Sequence, residues 1–186
     1  MDDRRKDRLN EPHVRPLMEL VCSIRARGLA VPNVDPDDGG TNARVLFLLE
    51  TPGPRAVNSN FVSCSNDDPS ARNMKAELEC AGLSRREVVL WNVVPHCVST
   101  QDKNANATMA QIKESVPDTQ EFIARLPALK AIVFCGRRAQ RARMFLTIPS
   151  DIELFETYHT GAMAYNHAEY RDHIQRTFRG VRNHLS

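Results

Sequence analysis

A chain of 186 residues, 41% hydrophobic and 26% charged, is long enough for one soluble domain with its own core. Its longest apolar run, Val45 to Leu49, is far too short to span a membrane, and a net charge of +2 is too small to mark a polyanion-binding protein by its sum alone. The opening Met1-Asp2-Asp3-Arg4-Arg5-Lys6-Asp7-Arg8 has no apolar stretch behind it and does not read as a signal peptide, so a cytoplasmic location is expected. Five cysteines, Cys22, Cys64, Cys80, Cys97 and Cys135, are widely spaced without a Cys-x-x-Cys pair. That argues against a disulfide framework and against a zinc or iron–sulfur site.

In chain order, residues 1–12 read as a charged, frayed tail and residues 13–186 as a single domain. From His13 to Arg27, Val14, Leu17, Met18, Val21 and Ile24 recur at helical spacing, and Gly28 supplies the stop. Residues 31–40 are dense in turn formers. Val45-Leu46-Phe47-Leu48-Leu49 then reads as a strand buried on both faces, closed at once by Glu50 and the turn Thr51-Pro52-Gly53-Pro54. A long polar connection over residues 55–69 carries Phe61 and Val62. A helix is expected from about Ser70, capped by Asp68 or Ser70, with Met74, Leu78 and Ala81 on one face and Gly82 at its end.

Val88 to Val94 is a second strand interrupted by Asn92, and a helical region follows from Ala107 to Arg125, broken near Pro117. Ala131 to Gly136 is a third strand feeding a helix with Arg137, Arg138, Arg141 and Arg143, and Ile152 to Phe155 a fourth, running into Tyr158-His159-Thr160-Gly161. A final helix repeats Tyr170, Ile174, Phe178, Val181 and Leu185 at one-stripe spacing. Strands that alternate with helices and read as continuous apolar runs imply an α/β fold. The expected architecture is a three-layer α/β/α sandwich around a four-stranded, mainly parallel sheet.

Glu50, Asn92 and His159 stand out because each polar side chain sits at or near the end of a predicted strand, where open α/β sheets bind ligands. The turn after Glu50 has neither the Gly-x-Gly-x-x-Gly of a dinucleotide site nor the Gly-Lys-Ser/Thr of a P-loop. A carboxylate, a carboxamide and an imidazole on one sheet edge, with Phe61 above, suit a planar amide-rich ligand. A carboxamide both donates and accepts, as the edge of a pyrimidine does.

These residues resemble the uracil-DNA glycosylase superfamily, nearest its iron–sulfur members. Leu49-Glu50-Thr51-Pro52-Gly53 is similar to the family's Gly-Glu-Ala-Pro-Gly, Asn60-Phe61-Val62-Ser63 to Pro-Phe-Val-Gly, Asn92-Val93-Val94-Pro95 to Asn-Val-Val-Lys, and Tyr158-His159-Thr160-Gly161 to Tyr-His-Pro-Ser. Cys135-Gly136-Arg137-Arg138-Ala139 echoes a Leu-Gly-x-x-Ala turn. The cluster cysteines have no counterpart, so neither a cluster nor any other metal or cofactor is expected. The Arg- and His-rich insert of relatives that bond covalently to DNA is absent after Asn92.

The resemblance implies a monomeric, monofunctional base-excision-repair enzyme that flips deoxyuridine out of single- or double-stranded DNA and hydrolyses its N-glycosidic bond. Under it, His159 donates to uracil O2 and Glu50 orients the attacking water. Asn92 reads the uracil edge, Phe61 stacks on the base, and Thr51, Pro52 and Gly53 lie against it. Arg137 and Arg138 meet phosphate, Thr160 and Gly161 form the DNA-entering loop, and Met163 or Tyr165 supplies the wedge. Alternatives are another lesion for the same fold, such as hypoxanthine or mismatched thymine, or a binder of uracil-containing DNA that does not cleave it.

Overall fold

A computed structural model describes residues 3–99 and 105–186. Its elements follow in chain order: α1 (Arg15–Arg25), β1 (Asn33–Val34), β2 (Val45–Leu49), α2 (Pro54–Ser59), β3 (Phe61–Val62), α3 (Pro69–Ala81), β4 (Val88–Asn92), α4 (Met109–Glu114), α5 (Val116–Ala124), β5 (Ala131–Cys135), α6 (Arg137–Ala142), β6 (Glu153–Thr157), α7 (Ala162–Tyr165) and α8 (Ala168–Leu185). The four longer strands form one parallel sheet in the order β4-β2-β5-β6. The short β1 and β3 make a separate parallel pair.

The pleat divides the sheet's side chains into two cores. Leu46, Leu48, Val89, Trp91, Ile132 and Phe134 pack with α1, α5 and α6, and Trp91 stacks on Phe122 with ring centroids 4.2 Å apart. Val45, Phe47, Val88, Leu90, Ala131 and Val133 pack with α3 and α8, where Phe47 meets Phe178 at 5.0 Å. These strands are apolar on both faces because helices cover both, which is the three-layer arrangement the continuous apolar runs predict. Only β6, at the edge, is mostly uncovered. Glu153 and Glu156 on it discourage pairing with another chain.

Four segments differ from expectation, the first being the second strand, which ends at Asn92 and not at Val94. The 55–69 connection is not a plain loop: Pro54 starts α2, Asn60 ends it in the left-handed region at φ 62°, and Phe61–Val62 pair with Asn33–Val34. The fourth strand lies at 153–157, one residue beyond the expected start and two beyond the expected end, set by pairing Ala131 opposite Glu153. Finally, the N-terminal segment is docked. Asp3 caps a 3-10 helix over Arg4–Arg8, and the Arg5 guanidinium lies 4.2 Å over the Phe61 ring. Arg5 also donates to Asp35 at 2.8 Å and to the Ser63 hydroxyl at 3.1 Å.

Candidate active site

A cavity of about 260 Å³ opens at the carboxyl ends of β2 and β4 on the α3 side of the sheet. This volume lies just under the roughly 300–1,000 Å³ typical of small-molecule sites. Its walls are the turn after β2, the segment following β3, the first turns of α3, and the loop carrying His159 and Thr160. The sheet's geometry explains the location. Strand ends in a parallel sheet leave a crevice where chains depart to opposite layers.

Asn92 closes β4 opposite Leu49 and follows Val88 and Leu90 on the pleat, so its side chain falls on the cavity face. It is 2% exposed, and its Nδ2 has no hydrogen-bond partner among the described residues. Asn66 also lines the cavity. Its Nδ2 donates to the Phe61 carbonyl at 3.0 Å, while its Oδ1 is buried without a partner. A buried polar atom left unpaired costs about 1–3 kcal/mol, and each of these two, of opposite polarity, belongs to a residue of the cavity wall.

His159 follows β6. Its Nδ1 accepts the Gly161 N–H at 2.9 Å, which leaves Nε2 as the protonated, donating nitrogen of the neutral ring. Burial lowers its pKa below the ordinary 6.5, partly opposed by the nearby Asp68 charge. Two glycines make room for the ring. A Cβ at Gly136, held at φ 87°, would sit 3.2 Å from the His159 Cβ, and one at Gly161 would sit 2.9 Å from Nδ1. The loop is fastened to α3, since Asn73 Nδ2 donates to the Thr160 carbonyl at 2.8 Å and the Thr160 hydroxyl donates to the Ser70 carbonyl at 3.1 Å.

Thr51, Pro52, Gly53, Asn92 and His159 therefore come together around one cavity, as their order along the chain led us to expect. Others do not. Glu50 follows Leu49 onto the opposite face of the sheet, where its Oε1 accepts the Ala107 N–H at 2.7 Å, and it is not part of the cavity wall. Phe61 is fully buried beneath Arg5 and does not reach the cavity. Thr160 is fully buried with its hydroxyl and carbonyl both engaged, so it holds the loop and offers DNA no side chain. Arg138 donates to the Ala107 carbonyl, securing the segment that Glu50 grips. Arg137 at the start of α6 is exposed. Of the two wedge candidates, Tyr165 is bonded to Glu77 at 2.6 Å, whereas Met163 is 93% exposed.

Residues to which the sequence reading gave no role in a site are Asn66, Asp68, Ser70 and Cys64; Asp68 and Ser70 entered it only as candidate caps of α3. Asp68 caps α3, accepting the Ala71 N–H at 3.0 Å, and lines the cavity. Burial pushes the Cys64 thiol up to about 11, which makes it an inert wall residue. Behind it, Asp35 is fully buried. Burial raises its pKa, but the Ser63 hydroxyl and the Arg85 and Arg5 guanidiniums more than offset this and hold it below the ordinary carboxylate range. Only the cluster in Asn66-Asp67-Asp68-Pro69-Ser70, a helix start beside the turn, hinted at this wall. Among the described residues no group of three or more His, Cys, Asp or Glu is placed to hold a metal ion, and no helix is long and apolar enough to cross a membrane.

No curated protein matches the chain. Among solved structures, it is similar to the solution structure of a protein from Methanosarcina acetivorans provisionally described as a uracil DNA glycosylase, at 15% identity over 76% of this chain and 92% of that one, with a TM-score of 0.47. It is also similar to a mimivirus UNG variant in complex with UGI, at 14% identity over 86% and 68% of the two chains and a TM-score of 0.43. The family model for the uracil DNA glycosylase superfamily matches residues 36–182. That span includes the cavity and most of both cores, and the chain belongs to the uracil DNA glycosylase superfamily.

Proposed function

We propose that this protein is a uracil-DNA glycosylase that hydrolyses the N-glycosidic bond of flipped-out deoxyuridine, releasing uracil and leaving an abasic site. One observation carries the reading. The cavity sets the neutral His159, its Nδ1 held by Gly161, beside an Asn92 buried at the strand end with an unpaired carboxamide nitrogen. The C1′–N1 bond breaks with its electron pair passing to the base, so negative charge grows on uracil and positive charge on the sugar. A donor fixed in advance, here the Nε2–H of His159, stabilises the growing charge at O2 without reorganising. A neutral imidazole serves as that donor without first giving up a proton.

Glu50, outside the cavity wall but at the same carboxyl edge of the sheet, would orient the attacking water from the rim with Oε2, the oxygen that Ala107 does not occupy, and take its proton late in the reaction. Thr51, Pro52 and Gly53 form the wall against which the base slides, and a Cβ at Gly53 would meet nothing within 4 Å, so that space is open to the substrate. The exposed Met163 would fill the gap left by the flipped base, and the exposed Arg137 would contact phosphate. DNA, single- or double-stranded, would be the partner of a monomeric protein.

The test is single-turnover release from labelled oligonucleotides carrying uracil, hypoxanthine or mismatched thymine, in the presence of chelator. Wild-type protein is expected to release uracil, with losses of about 10²–10³-fold for His159→Ala and Asn92→Ala and about 10²–10⁴-fold for Glu50→Gln. Binding of uracil DNA without any abasic product would instead make this a recognition protein.

A further inference from the structure

We infer that Tyr165 and Glu77 are positioning residues: their hydrogen bond latches α7 to α3 and so fixes the direction in which Met163 meets a DNA duplex. This rests on the glycosylase reading and deepens it, because it concerns the opening of the base stack and not the cavity that receives the base.

A helix of one turn cannot hold its own direction. α7 spans only Ala162–Tyr165, and even much longer helices are marginal in water without tertiary contacts. Its side chains are Ala, Met, Ala and Tyr, so only Met163 and Tyr165 are large enough to orient it. Two residues along an α-helix turn by about 200°, which sends these two side chains to opposite sides. Tyr165 packs against the core beneath α3 and α8, and Met163 is exposed. Whatever holds the one aims the other.

The hold comes from one stripe of α3. Ser70 and Asn73 fasten Thr160, and Glu77 follows one turn later, so the three share a helix face. Glu77 is a carboxylate only 2% exposed. Its Oε1 accepts the Tyr165 hydroxyl of α7 at 2.6 Å and the Gln175 amide of α8 at 3.4 Å. One buried oxygen thus joins three helices. Burial and the Glu77 carboxylate push the Tyr165 hydroxyl up to about 12, so it stays protonated and donates. The Tyr165 carbonyl accepts Arg171 Nη1 at 3.4 Å. At the other end, α7 begins at Gly161, whose N–H is bound to His159. Met163 stands between these two pins, two residues from each. If α7 only covered the core, apolar contacts would suffice, and burying a carboxylate is costly unless its bonds are used.

The experiment compares the full chain with Tyr165→Phe, Glu77→Gln, Met163→Ala and the Tyr165→Phe/Met163→Ala pair. One readout is single-turnover uracil release from the same sequence as a single strand and as a duplex. The other is fluorescence of 2-aminopurine beside an uncleavable 2′-fluoro-deoxyuridine in the duplex, which brightens when the stack opens. Tyr165→Phe removes a bond to a charged acceptor and is expected to lose about tenfold in duplex release and in brightening. On the single strand, where there is little stack to open, it should stay within about twofold of wild type. Glu77→Gln, whose carboxamide oxygen accepts the same hydroxyl, should stay within about threefold on both substrates. The pair should lose no more than Met163→Ala alone, because the latch acts through that side chain. Three results in protein folded by circular dichroism would each overturn the latch: no duplex loss in Tyr165→Phe, equal losses on both substrates, or losses that multiply with Met163→Ala. No brightening with wild-type protein would overturn it too. Latch-dependent brightening without uracil release from either DNA would overturn the enzymatic reading and leave the latch standing.

Discussion

Gly161→Ala isolates the placement of His159 from every other feature of the site. The residue sits at φ −63° and ψ 156°, ordinary extended backbone that alanine adopts freely, so the substitution introduces no conformational strain. Its new Cβ would lie 2.9 Å from His159 Nδ1 and 3.5 Å from Cε1, where ordinary contacts begin near 3.4 Å. The ring must retreat by about 0.5 Å, and a misplacement of about 1 Å costs on the order of 10²-fold in rate. A loss of about 10–100-fold in single-turnover uracil release is expected, with substrate affinity nearly unchanged because the lost interaction matures in the transition state. Stability should fall by at most about 2–3 kcal/mol. About 0.4–1 kcal/mol gained by restricting the unfolded chain opposes about 1–3 kcal/mol of overpacking. Rapid-quench kinetics and urea denaturation read the two effects separately. Wild-type kinetics in a folded Gly161→Ala protein would refute the view that the glycine exists to seat this imidazole.

The remaining predictions concern the wall, the tail and pH. Gly53→Ala, whose Cβ would meet no protein atom, should leave the melting temperature unchanged or slightly raised yet weaken uracil-DNA binding; unchanged affinity would show that the substrate does not use that space. Arg5→Ala removes one of the two guanidinium partners of the fully buried Asp35, Arg85 remaining at 2.9 Å. A loss of about 1–3 kcal/mol by urea denaturation is expected, and an unaltered midpoint would mean that residues 3–8 contribute nothing to the fold in solution. His159, with a native pKa below 6.5, binds fewer protons folded than unfolded. Its contribution to stability is therefore full above about pH 6.5 and lost as pH falls toward the native pKa. Nitrogen-15 spectra should show protonated Nε2 and bare Nδ1 at pH 6.5, and an imidazolium there would contradict the seat described for it.

Much of the architecture was legible because parallel strands covered on both faces must be apolar at every position. The runs 45–49, 88–91 and 131–135 name themselves, and the helices between them follow from 3.6-residue spacing and from stops such as Gly82, which adopts φ 70° at the end of α3. The tail was misread because composition reports charge but not partners. Arg5 is a solvated cation in the sequence and a half-buried clasp once Asp35, Ser63 and Phe61 converge on it.

The same division holds at the site. Sequence alone determined which residue types close the strands, and hence that Glu50, Asn92 and His159 gather at one edge of one sheet. It could not decide on which face each would fall, because a single step along the pleat reverses a side chain's direction. That step sends Glu50 to Ala107 and Asn92 to the cavity. Nor could it pair Tyr165 with Glu77, a bond between helices far apart in the sequence. Periodicity is a local property of the chain and survives in one dimension; the pairing of polar atoms between distant elements depends on long-range packing, and only the tertiary structure decided it.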